Sequence, residues 1–517
     1  MCGIYGTTLR YSDETVKRKM DAMRFRGPDY QGILRLERPD GGQLTLGHNR
    51  LAIMDLDARS NQPFVYNDNI TVVFNGEIYN FEELKRQYCG DVEFRTTSDT
   101  EVLCAMYERF GIDCITKLNG MFAFVIYDRA KNILVGGRDR LGKKPFYYMH
   151  TDSGFEFASQ PSCIQIGNDL HIDPQARSYL LLNGYIPDPY SIWQEVRKLR
   201  AGQCFTYHLA DNRLEISQYW DLFSNSCGFQ TPKSYDEAKE QVRSLLEDAV
   251  RIRLNADVPV GMFLSGGIDS SLTSAFIARM NRQITAYTMG FDDSKYDESA
   301  HATDVARSLG IPIKVNKCEG EDMLAVFKDY YLYYDEPFAD FSLIPTSLLA
   351  QKTRQDVTVA VGGDGGDELF YGYGNYMYAQ QMVRVYSLCP YFVRHALTKA
   401  VGAVADVKKL EHLDFRSAKE HFYAFGNYGS LRKARRFDNR KLAASLPDLK
   451  YLDDRRGWLQ YSDYDMKMYM NSCINTKTDR ASMRSSLELR SPIMDYRLAE
   501  YSRLLPYEYM YNKPMGG

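Results

Sequence analysis

A stretch of small residues, Phe263–Ser271, joins a predicted strand to a predicted helix and constrains the fold of the second half of the chain. The preceding run Val258–Met262 is apolar and of strand length, and Leu272–Arg279 has the pattern of a helix. Glycines in such a turn let the backbone approach an anion closely, while free N–H groups and the helix dipole favour negative charge. The stretch therefore predicts a phosphate-binding loop.

The loop sequence SGGIDSS lacks the Gly-Lys-Ser/Thr ending of a Walker loop. It resembles instead the pyrophosphate loop of ATP pyrophosphatases, which cleave ATP between its α and β phosphates and adenylate a substrate. The resemblance implies that the carboxylate of Asp269 holds Mg²⁺ against pyrophosphate oxygens. The expected ATP-binding residues of the loop are Leu264, Ser265, Gly266, Gly267, Asp269 and Ser270.

The composition of the chain excludes several classes of function. The formal net charge is −3, which gives no electrostatic basis for binding nucleic acid. The 10 cysteines include no CxxC pair, so neither a zinc site nor a disulfide framework is expected. No signal-peptide-like segment and no apolar run of membrane length is found in the sequence. We expect a reduced, cytoplasmic protein that binds neither nucleic acid nor membranes.

The second residue, Cys2, is a candidate nucleophile. Removal of Met1 would give this cysteine both a thiol and a free α-amine, whose ordinary pKa is about 7.7–8. An α-amine of this kind can act as the general base for its own side chain, as in enzymes with an N-terminal threonine. The position of Cys2 therefore suggests an N-terminal nucleophile.

Four segments accompany Cys2 within about the first hundred residues: Arg26–Asp29, Gly47–Ile53, Phe74–Asn80 and Ser98–Glu101. Their sequences, RGPD, GHNRLAI, FNGEIYN and SDTE, resemble in the same order the glutaminase domain of class II glutamine amidotransferases. The resemblance implies that Cys2 attacks the side-chain amide of glutamine. Phe25 departs from the pattern, because many relatives have His before RGPD. Since the nucleophile carries its own base, we expect the site to remain active.

The chemistry of glutamine suggests a role for each polar residue in these segments. Glutamine carries a carboxylate, an ammonium group and a neutral amide, so its pocket needs a cation, anions and donors that polarise the amide. Arg50 can bind the carboxylate through two parallel hydrogen bonds. Glu77 and Asp99 can bind the ammonium group. The Asn75 side chain and the Gly76 N–H can stabilise the oxyanion that forms during attack on the amide.

Strand and helix patterns alternate beyond residue 234, which predicts a parallel sheet with helices on both faces. Ligands bind such sheets beyond the carboxyl ends of the strands. The predicted strand Val357–Val361 leads there into GGDGGDE, whose Gly362 and Gly363 would allow a phosphate to approach closely. Because carboxylates repel phosphate unless a cation intervenes, Asp367 and Asp269 are expected to bind Mg²⁺ together.

Three segments of this half resemble asparagine synthetases: Gly362–Glu368, Lys477–Met483 and Ser486–Pro492. The resemblance implies that Met289 contacts adenine and that Asp364 handles a proton when ammonia attacks. It also implies a cation that neutralises charge developing on the phosphates. Lys477 and Arg480 are both candidates for this cation, and Lys477 is favoured. Tyr371 stands where glycine is usual, and most relatives continue beyond the final residue of this sequence.

The sequence thus predicts an α/β multidomain protein. Residues 1–210 are expected to form an αββα glutaminase domain, residues 211–233 a linker, and residues 234–517 a doubly wound, parallel-sheet ATP pyrophosphatase domain. The expected reaction is glutamine-dependent synthesis of asparagine: Cys2 releases ammonia, which is channelled to adenylated aspartate, with AMP and pyrophosphate as the other products. The expected partners are small molecules, and any self-association would give a homodimer.

An alternative stays open at this stage. The same amidotransfer chemistry could serve another carboxylate, such as a sugar uronic acid of a surface polysaccharide, a secondary metabolite or a peptide. No segment of the sequence identifies an aspartate pocket. The acceptor is therefore the least constrained part of the predicted function.

Overall fold

The structure is a computed structural model that describes residues 2–223, 228–280, 284–293, 295, 297–374, 376, 385–386, 388–402, 413–414 and 460–510. Its strands, in chain order, are β1 (Gly3–Thr7), β2 (Tyr30–Glu37), β3 (Gln43–Arg50), β4 (Phe64–Val65), β5 (Ile70–Ile78), β6 (Gly120–Asp128), β7 (Ile133–Arg138), β8 (Tyr147–Thr151), β9 (Gly154–Ala158), β10 (Val196–Lys198), β11 (Gln203–His208), β12 (Arg213–Gln218), β13 (Val260–Phe263), β14 (Ala286–Phe291), β15 (Ile313–Cys318), β16 (Val359–Val361) and β17 (Glu488–Arg490).

The α-helices of the same residues are α1 (Asp13–Asp21), α2 (Phe81–Tyr88), α3 (Asp99–Phe110), α4 (Pro161–Gln165), α5 (Pro174–Asn183), α6 (Tyr235–Arg253), α7 (Ile268–Arg279), α8 (Ser299–Leu309), α9 (Gly320–Tyr333), α10 (Leu343–Thr353), α11 (Gly366–Phe370), α12 (Tyr391–Gly402), α13 (Gln460–Tyr464), α14 (Asn475–Met483), α15 (Tyr496–Ser502) and α16 (Tyr507–Met510). A π-helical segment, Asp465–Ile474, leads directly into α14. Among the described residues, none of the helices has both the length and the apolar character that a membrane span requires.

The N-terminal part contains two six-stranded antiparallel sheets, ordered β10-β8-β9-β1-β3-β2 and β12-β11-β7-β6-β5-β4. The sheets face each other across a shared apolar core, whose members include Ile4, Leu46, Val125 and Phe205. Helices α2 and α3 cover the outer face of the second sheet, and α1 and α4 cover that of the first. Strand β6 is buried on both faces, since Phe124 contacts the helices and Val125 the opposite sheet. These layers confirm the predicted αββα arrangement.

The C-terminal part contains one five-stranded parallel sheet, ordered β15-β14-β13-β16-β17. Helices α7 and α8 pack on one face with Met262 and Val361, and α10 packs on the other with Tyr287 and Ala360. The first strand of the sheet, β13, is central, and the chain extends outward from it on both sides. The predicted doubly wound parallel sheet is therefore confirmed, and its ligand crevice lies beyond the ends of β13 and β16.

The second antiparallel sheet reaches into the segment predicted as a linker. Strand β12 pairs with β11 from Arg213 to Gln218, so this sheet ends beyond residue 210. The predicted linker at 211–233 thus begins inside a hairpin, and its residues 224–227 lie outside the described part of the chain. Helix α6 begins where the sequence indicates a capping box, because the Ser234 hydroxyl accepts from the Glu237 N–H at 3.2 Å.

One buried ion pair in the N-terminal part provides a test of the packing. Lys19 on α1 and Glu156 on β9 are both fully buried, with 2.7 Å between Nζ and Oε1. Lys19→Met would leave the carboxylate without its cation, which typically costs about 3–5 kcal/mol. We therefore expect a clear decrease in the apparent Tm, measured by circular dichroism. In the control Arg109→Met the partner Asp91 is exposed, so the Tm should change much less. Equal Tm values for the two variants would contradict this prediction.

Candidate active sites

A cavity lies beside the N-terminal end of β1, and five of the predicted glutamine-site residues line it: Cys2, Arg50, Gly76, Glu77 and Asp99. The sixth residue, Asn75, is fully buried and contacts Cys2 through its side chain. The structure therefore brings together all the residues that the sequence assigned to this site.

The oxygen of the Asn75 side-chain amide accepts a hydrogen bond from Cys2, whereas its nitrogen donates none within the described residues. Its Oδ1 accepts from the backbone N–H of Cys2 at 2.9 Å, which fixes the orientation of the amide. Its Nδ2 is buried and has no hydrogen-bond partner among the residues that the structure describes. A buried donor without an acceptor is costly unless a ligand completes it. This geometry fits the predicted role of Asn75 as an oxyanion donor, which stays a prediction.

The backbone N–H of Gly76 is the second candidate donor. Two nearby N–H groups of β5 point away from the paired strand β6. The Phe74 N–H donates to Gln62 Oε1 at 2.7 Å, and the Ile78 N–H donates to Asp99 Oδ2 at 2.8 Å. Since alternate N–H groups of a strand point the same way, the Gly76 N–H faces this same edge. A side chain at position 76 would place its Cβ 2.1 Å from the carbonyl oxygen of Met121, so only glycine fits there.

The thiol of Cys2 lies in a buried environment. Its burial raises the pKa of the group above the ordinary value, so attack on an amide needs a base. The Sγ atom lies 3.9 Å from the carbonyl oxygen of Leu51. On the other side of the residue, Arg26 Nε donates to the Cys2 carbonyl oxygen at 3.0 Å. The backbone around the nucleophile is thus fixed by side chains of distant segments.

The two carboxylates predicted to bind the ammonium group, Glu77 and Asp99, are only partly balanced by positive charge from the chain. Burial and the neighbouring charge of Asp99 raise the pKa of Glu77 well above its usual range, although Arg490 opposes the shift. Burial also raises the pKa of Asp99 to about 6. The ammonium group of glutamine would supply the missing charge.

Arg50 has a different arrangement from the one predicted. Its Nη1 donates to the carbonyl oxygen of Asp57 at 2.9 Å and to Asn61 Oδ1 at 2.8 Å. Its Nη2 donates to the carbonyl oxygens of Met54 and Asp55. The guanidinium therefore holds the loop that forms one wall of the cavity. Binding of a carboxylate by Arg50 stays a prediction, and it requires some of these partners to be exchanged.

Two residues of the C-terminal part belong to this site and were missed by sequence reasoning. Glu488 lines the cavity, and Arg490 lies between two carboxylates, 2.7 Å from Glu488 and 3.2 Å from Glu77. Strand β17 carries both residues, and its pairing with β16 places it beside the cavity. The segment SLELRSP resembles a family signature, but its sequence does not indicate that Arg490 contacts Glu77.

The second site lies in the crevice of the parallel sheet, where the loop after β13 is held by its own hydroxyl groups. Ser265 Oγ accepts from the Gly267 N–H at 3.3 Å and lies 3.0 Å from Ser270 Oγ. Gly266 has φ +86°, a left-handed conformation that favours glycine. Leu264 is buried below the loop. The turn is therefore closed and leads into the N-terminus of α7, as an anion site requires.

The loop after β16 packs directly on the start of α7. A Cβ atom at Gly363 would lie 2.6 Å from the backbone nitrogen of Ser270, and one at Gly366 would lie 2.2 Å from Asp269 Oδ2. The glycines thus allow the two loops to touch. This packing brings Asp364 and Asp367 close enough to Asp269 to raise the pKa of its carboxyl group.

The carboxylates of the crevice form a site suited to a cation. Burial, together with Asp367 and Asp364, raises the pKa of Asp269 to about 6, and burial raises that of Asp367. The described residues contain no cluster of three or more metal-binding side chains. Mg²⁺ commonly uses only one or two carboxylates together with substrate phosphates. Asp269 and Asp367 therefore fit the ion, and their binding of it remains a prediction.

The two candidate phosphate cations on α14 have different surroundings. Arg480 is buried, and its Nη2 lies 3.5 Å from Tyr147 Oη and 3.4 Å from the Ser159 carbonyl oxygen in the N-terminal part. Lys477 is half-buried, and Tyr334 Oη donates to its backbone carbonyl oxygen at 3.2 Å. Because Arg480 contacts the N-terminal part, Lys477 remains the favoured candidate for the phosphate cation. Met289, the predicted adenine contact, is buried in β14.

Tyr371, which replaces the usual glycine, keeps a glycine-like backbone. Its φ is +67°, a conformation that costs other residues about 1–2 kcal/mol. The ring is buried, with 4.6 Å between its centroid and that of Tyr376, and it also contacts Tyr507. Burial of the aromatic ring offsets the backbone cost at this position.

Comparison with known proteins gives matches to both parts of the chain. A protein-family model of the glutamine amidotransferase domain matches residues 1–220, and a family model of asparagine synthase matches residues 241–516. A Methanocaldococcus jannaschii protein that carries the name of a glutamine-hydrolysing asparagine synthetase is 35% identical over 434 residues, covering 79% of this chain and 81% of that protein. Asparagine synthetase 1 of Bacillus subtilis, also named glutamine-hydrolysing, is 30% identical over 533 residues, covering 98% and 82%. Amidase chry2 of Gibberella zeae is 34% identical over 380 residues, covering 70% and 55%.

The raised pKa of Asp269 predicts a stability change of definite sign. In the unfolded chain this carboxyl loses its proton near its ordinary pKa of 3.8, and in the folded protein only near 6. The folded state therefore loses stability as the pH rises from about 4 to about 6, and it carries the full penalty above pH 6. We expect Asp269→Asn to raise the Tm at pH 7.5 and to lose most of this advantage below pH 4. The exposed substitution Asp304→Asn is the control, and an Asp269→Asn effect independent of pH would refute the prediction.

Proposed function

We propose, from the premise that the chain belongs to the family of glutamine-hydrolysing asparagine synthetases, that its acceptor is aspartate and its product asparagine. Membership in the family makes the chain an ATP-dependent amidotransferase that uses glutamine as its nitrogen donor. The choice of aspartate is supported by the names of the relatives that match nearly the full chain. We place the enzyme in the cytoplasm, which supplies ATP and keeps the Cys2 thiol reduced.

The observation that carries the first half of the proposal is the unpartnered Nδ2 of Asn75 beside Cys2. In the proposed reaction the α-amine of Cys2 takes the thiol proton, and Sγ attacks the amide carbon of glutamine. The oxyanion is stabilised by Asn75 Nδ2 and the Gly76 N–H. The protonated α-amine returns its proton to the amide nitrogen, the C–N bond breaks and ammonia leaves, which forms a thioester on Sγ; water then hydrolyses the thioester and releases glutamate. Glu77 and Asp99 hold the ammonium group of the substrate during these steps.

The ammonia produced beside Cys2 is proposed to pass between the two parts of the chain. An apolar cluster occupies this region, with Leu51, Ile53 and Met121 from the N-terminal part and Val359 and Met483 from the C-terminal part. Val359 begins β16, whose other end leads into the Gly362 loop. Apolar walls disfavour the ammonium ion relative to neutral ammonia, which is the nucleophilic form.

In the second half-reaction the acceptor carboxylate attacks the α phosphorus of ATP, and pyrophosphate leaves. We propose that Asp269 and Asp367 hold Mg²⁺, which when bound neutralises charge on the pyrophosphate. Lys477 stabilises the developing negative charge. The residues proposed to surround the phosphates are Leu264, Ser265, Gly266, Gly267, Asp269, Ser270, Gly362 and Gly363. Ammonia then displaces AMP from the acyl adenylate, and Asp364 accepts the proton that is released.

A second candidate acceptor is a carboxylate other than aspartate. The specific observation in its favour is the similarity to a protein named amidase chry2, which spans 70% of this chain. The two catalytic sites would work in the same way, because only the pocket for the acceptor would differ. A uronic acid, a secondary metabolite or a peptide carboxylate would each fit this alternative.

Replacement of Cys2 tests the glutaminase half of the proposal. Cys2→Ala removes the nucleophile, so release of glutamate from glutamine should fall at least about 10³-fold. The Asn75 contact uses only the backbone of residue 2 and should survive. Ammonia-dependent turnover should remain within about twofold of wild type, since it uses only the C-terminal site. The substitution Cys89→Ala, at a buried cysteine outside the cavity, is the control. Unchanged glutamate release in Cys2→Ala would refute the assignment.

The acceptor is tested by pyrophosphate release from ATP with glutamine, measured with and without aspartate. Stimulation by aspartate, together with formation of asparagine, is the expected result. Glutaminase activity without any response to aspartate would reject aspartate and favour the second candidate. In that case a panel of uronic acids and peptide carboxylates should restore pyrophosphate release.

A further inference from the structure

Arg26, the first residue of the RGPD segment, connects the nucleophile to the C-terminal part. Its side chain is fully buried, and its Nε donates to the carbonyl oxygen of Cys2 at 3.0 Å. The two remaining nitrogens form a bidentate contact with Asp479, at 2.8 Å to Oδ2 and 3.1 Å to Oδ1. The guanidinium therefore bridges the backbone of residue 2 and a carboxylate that lies 453 positions further along the chain.

Both ends of this bridge are held in place. The Arg26 backbone N–H donates to Met23 O at 3.1 Å. The next residue, Gly27, packs so closely on β3 that a Cβ atom would lie 2.2 Å from Asn49 O. Asp479 lies on α14, one helical turn after Asn475, whose Nδ2 donates to Leu141 O at 2.7 Å in the N-terminal part. Residues four apart share one helix face, so α14 presents this face to the glutaminase half.

The energetics of the bridge favour a positioning role over a purely stabilising one. A buried ion pair gains little over a well-packed apolar pair, because both charges lose their hydration. A bidentate guanidinium–carboxylate contact does, however, fix distance and direction. The negative charge of Asp479 is fully compensated, since Lys144 Nζ also lies 3.7 Å from this carboxylate and the pKa of that carboxyl is lowered to about 2. Burial opposes this shift, and the charges of Arg26 and Lys144 outweigh it.

We propose that Asp479 is a positioning residue for Cys2 and acts through Arg26. The inference rests on the proposed role of Cys2 as the glutaminase nucleophile. With the Cys2 N–H bonded to Asn75 and the Cys2 carbonyl bonded to Arg26, the direction of the Cα–Cβ bond is fixed at both ends. Without Asp479 the guanidinium would lose the partner that orients it. A displacement of about 1 Å at a reacting atom can cost about 100-fold in rate.

The same helix also carries Lys477, the proposed phosphate cation of the synthetase site. Residues two apart on a helix do not share a face, so Lys477 and Asp479 are directed to different surroundings. A single rigid element therefore supports the nucleophile of one site and a cation of the other.

The test compares Asp479→Asn with Asn475→Ala, which removes a contact to the N-terminal part from the same face of α14 without touching the Cys2 bridge. For Asp479→Asn we expect glutaminase kcat to fall about 10- to 100-fold, with KM for glutamine within twofold. The shift in Tm that Mg·ATP produces should be retained, which reports an intact C-terminal part. Asn475→Ala should keep a kcat within about threefold of wild type. Asp479→Glu, which keeps the charge, should recover at least part of the lost kcat.

Each outcome decides the proposal. A kcat within twofold of wild type in Asp479→Asn would overturn it, and so would an equal decrease in Asn475→Ala, because either result would leave only a general docking role. If Asp479→Asn does not fold, the kinetics of Asp479→Glu provide the test. A change in KM alone rejects the proposal, and a decrease in kcat alone supports it. Absence of glutaminase activity in the wild-type protein would instead refute the proposed function of Cys2.

Discussion

Buried charges at the contact between the two parts of the chain determine how both active sites are built. Arg490 is fully buried and lies between Glu488 on its own strand and Glu77 in the glutamine cavity. Its Nη1 also donates to the carbonyl oxygens of Arg253 and Asn255. A guanidinium with this many fixed partners tolerates little displacement. The position of β17 relative to the glutamine cavity is therefore defined by hydrogen-bond geometry, and apolar packing alone would define it less sharply.

The two sites share one electrostatic property. At both, acidic groups are buried close together with too little positive charge, and the pKa values of Asp99 and Asp269 are raised to about 6. The rest of the contact region behaves differently, since the pKa values of Asp479 and Asp495 are lowered by neighbouring arginines and lysines. Carboxylates that support the structure are thus neutralised by the chain. In the proposed reaction, the charge missing at Glu77 and Asp99 would come from the ammonium group of glutamine, and that missing at Asp269 from a metal ion.

The sequence predicted the local parts of the sites well and the contacts between the parts poorly. SGGIDSS and GGDGGDE could be placed at strand ends, because turn glycines and apolar strands are local signals. The role of Glu488 could not be predicted, since it depends on β17 pairing with β16 and on the docking of a cavity more than 400 residues away in the chain. Arg50 is a residue whose local contacts the sequence did not predict. Its identity suggested a carboxylate clamp, but nearby carbonyl groups satisfy its Nη atoms.

The contact region contains both an apolar cluster and a frame of buried charges, and their combination suits the proposed transfer of ammonia. Neutral ammonia is lost to protonation in water, so it must move through a region that excludes solvent. An apolar cluster alone, such as the one around Leu51 and Val359, could rearrange, because apolar contacts have no preferred direction. The directional bridges formed by Arg26 and Arg490 can prevent the two parts from sliding while the apolar walls remain in contact. On this argument, loosening either bridge should affect the transfer of ammonia before it affects the fold of either part.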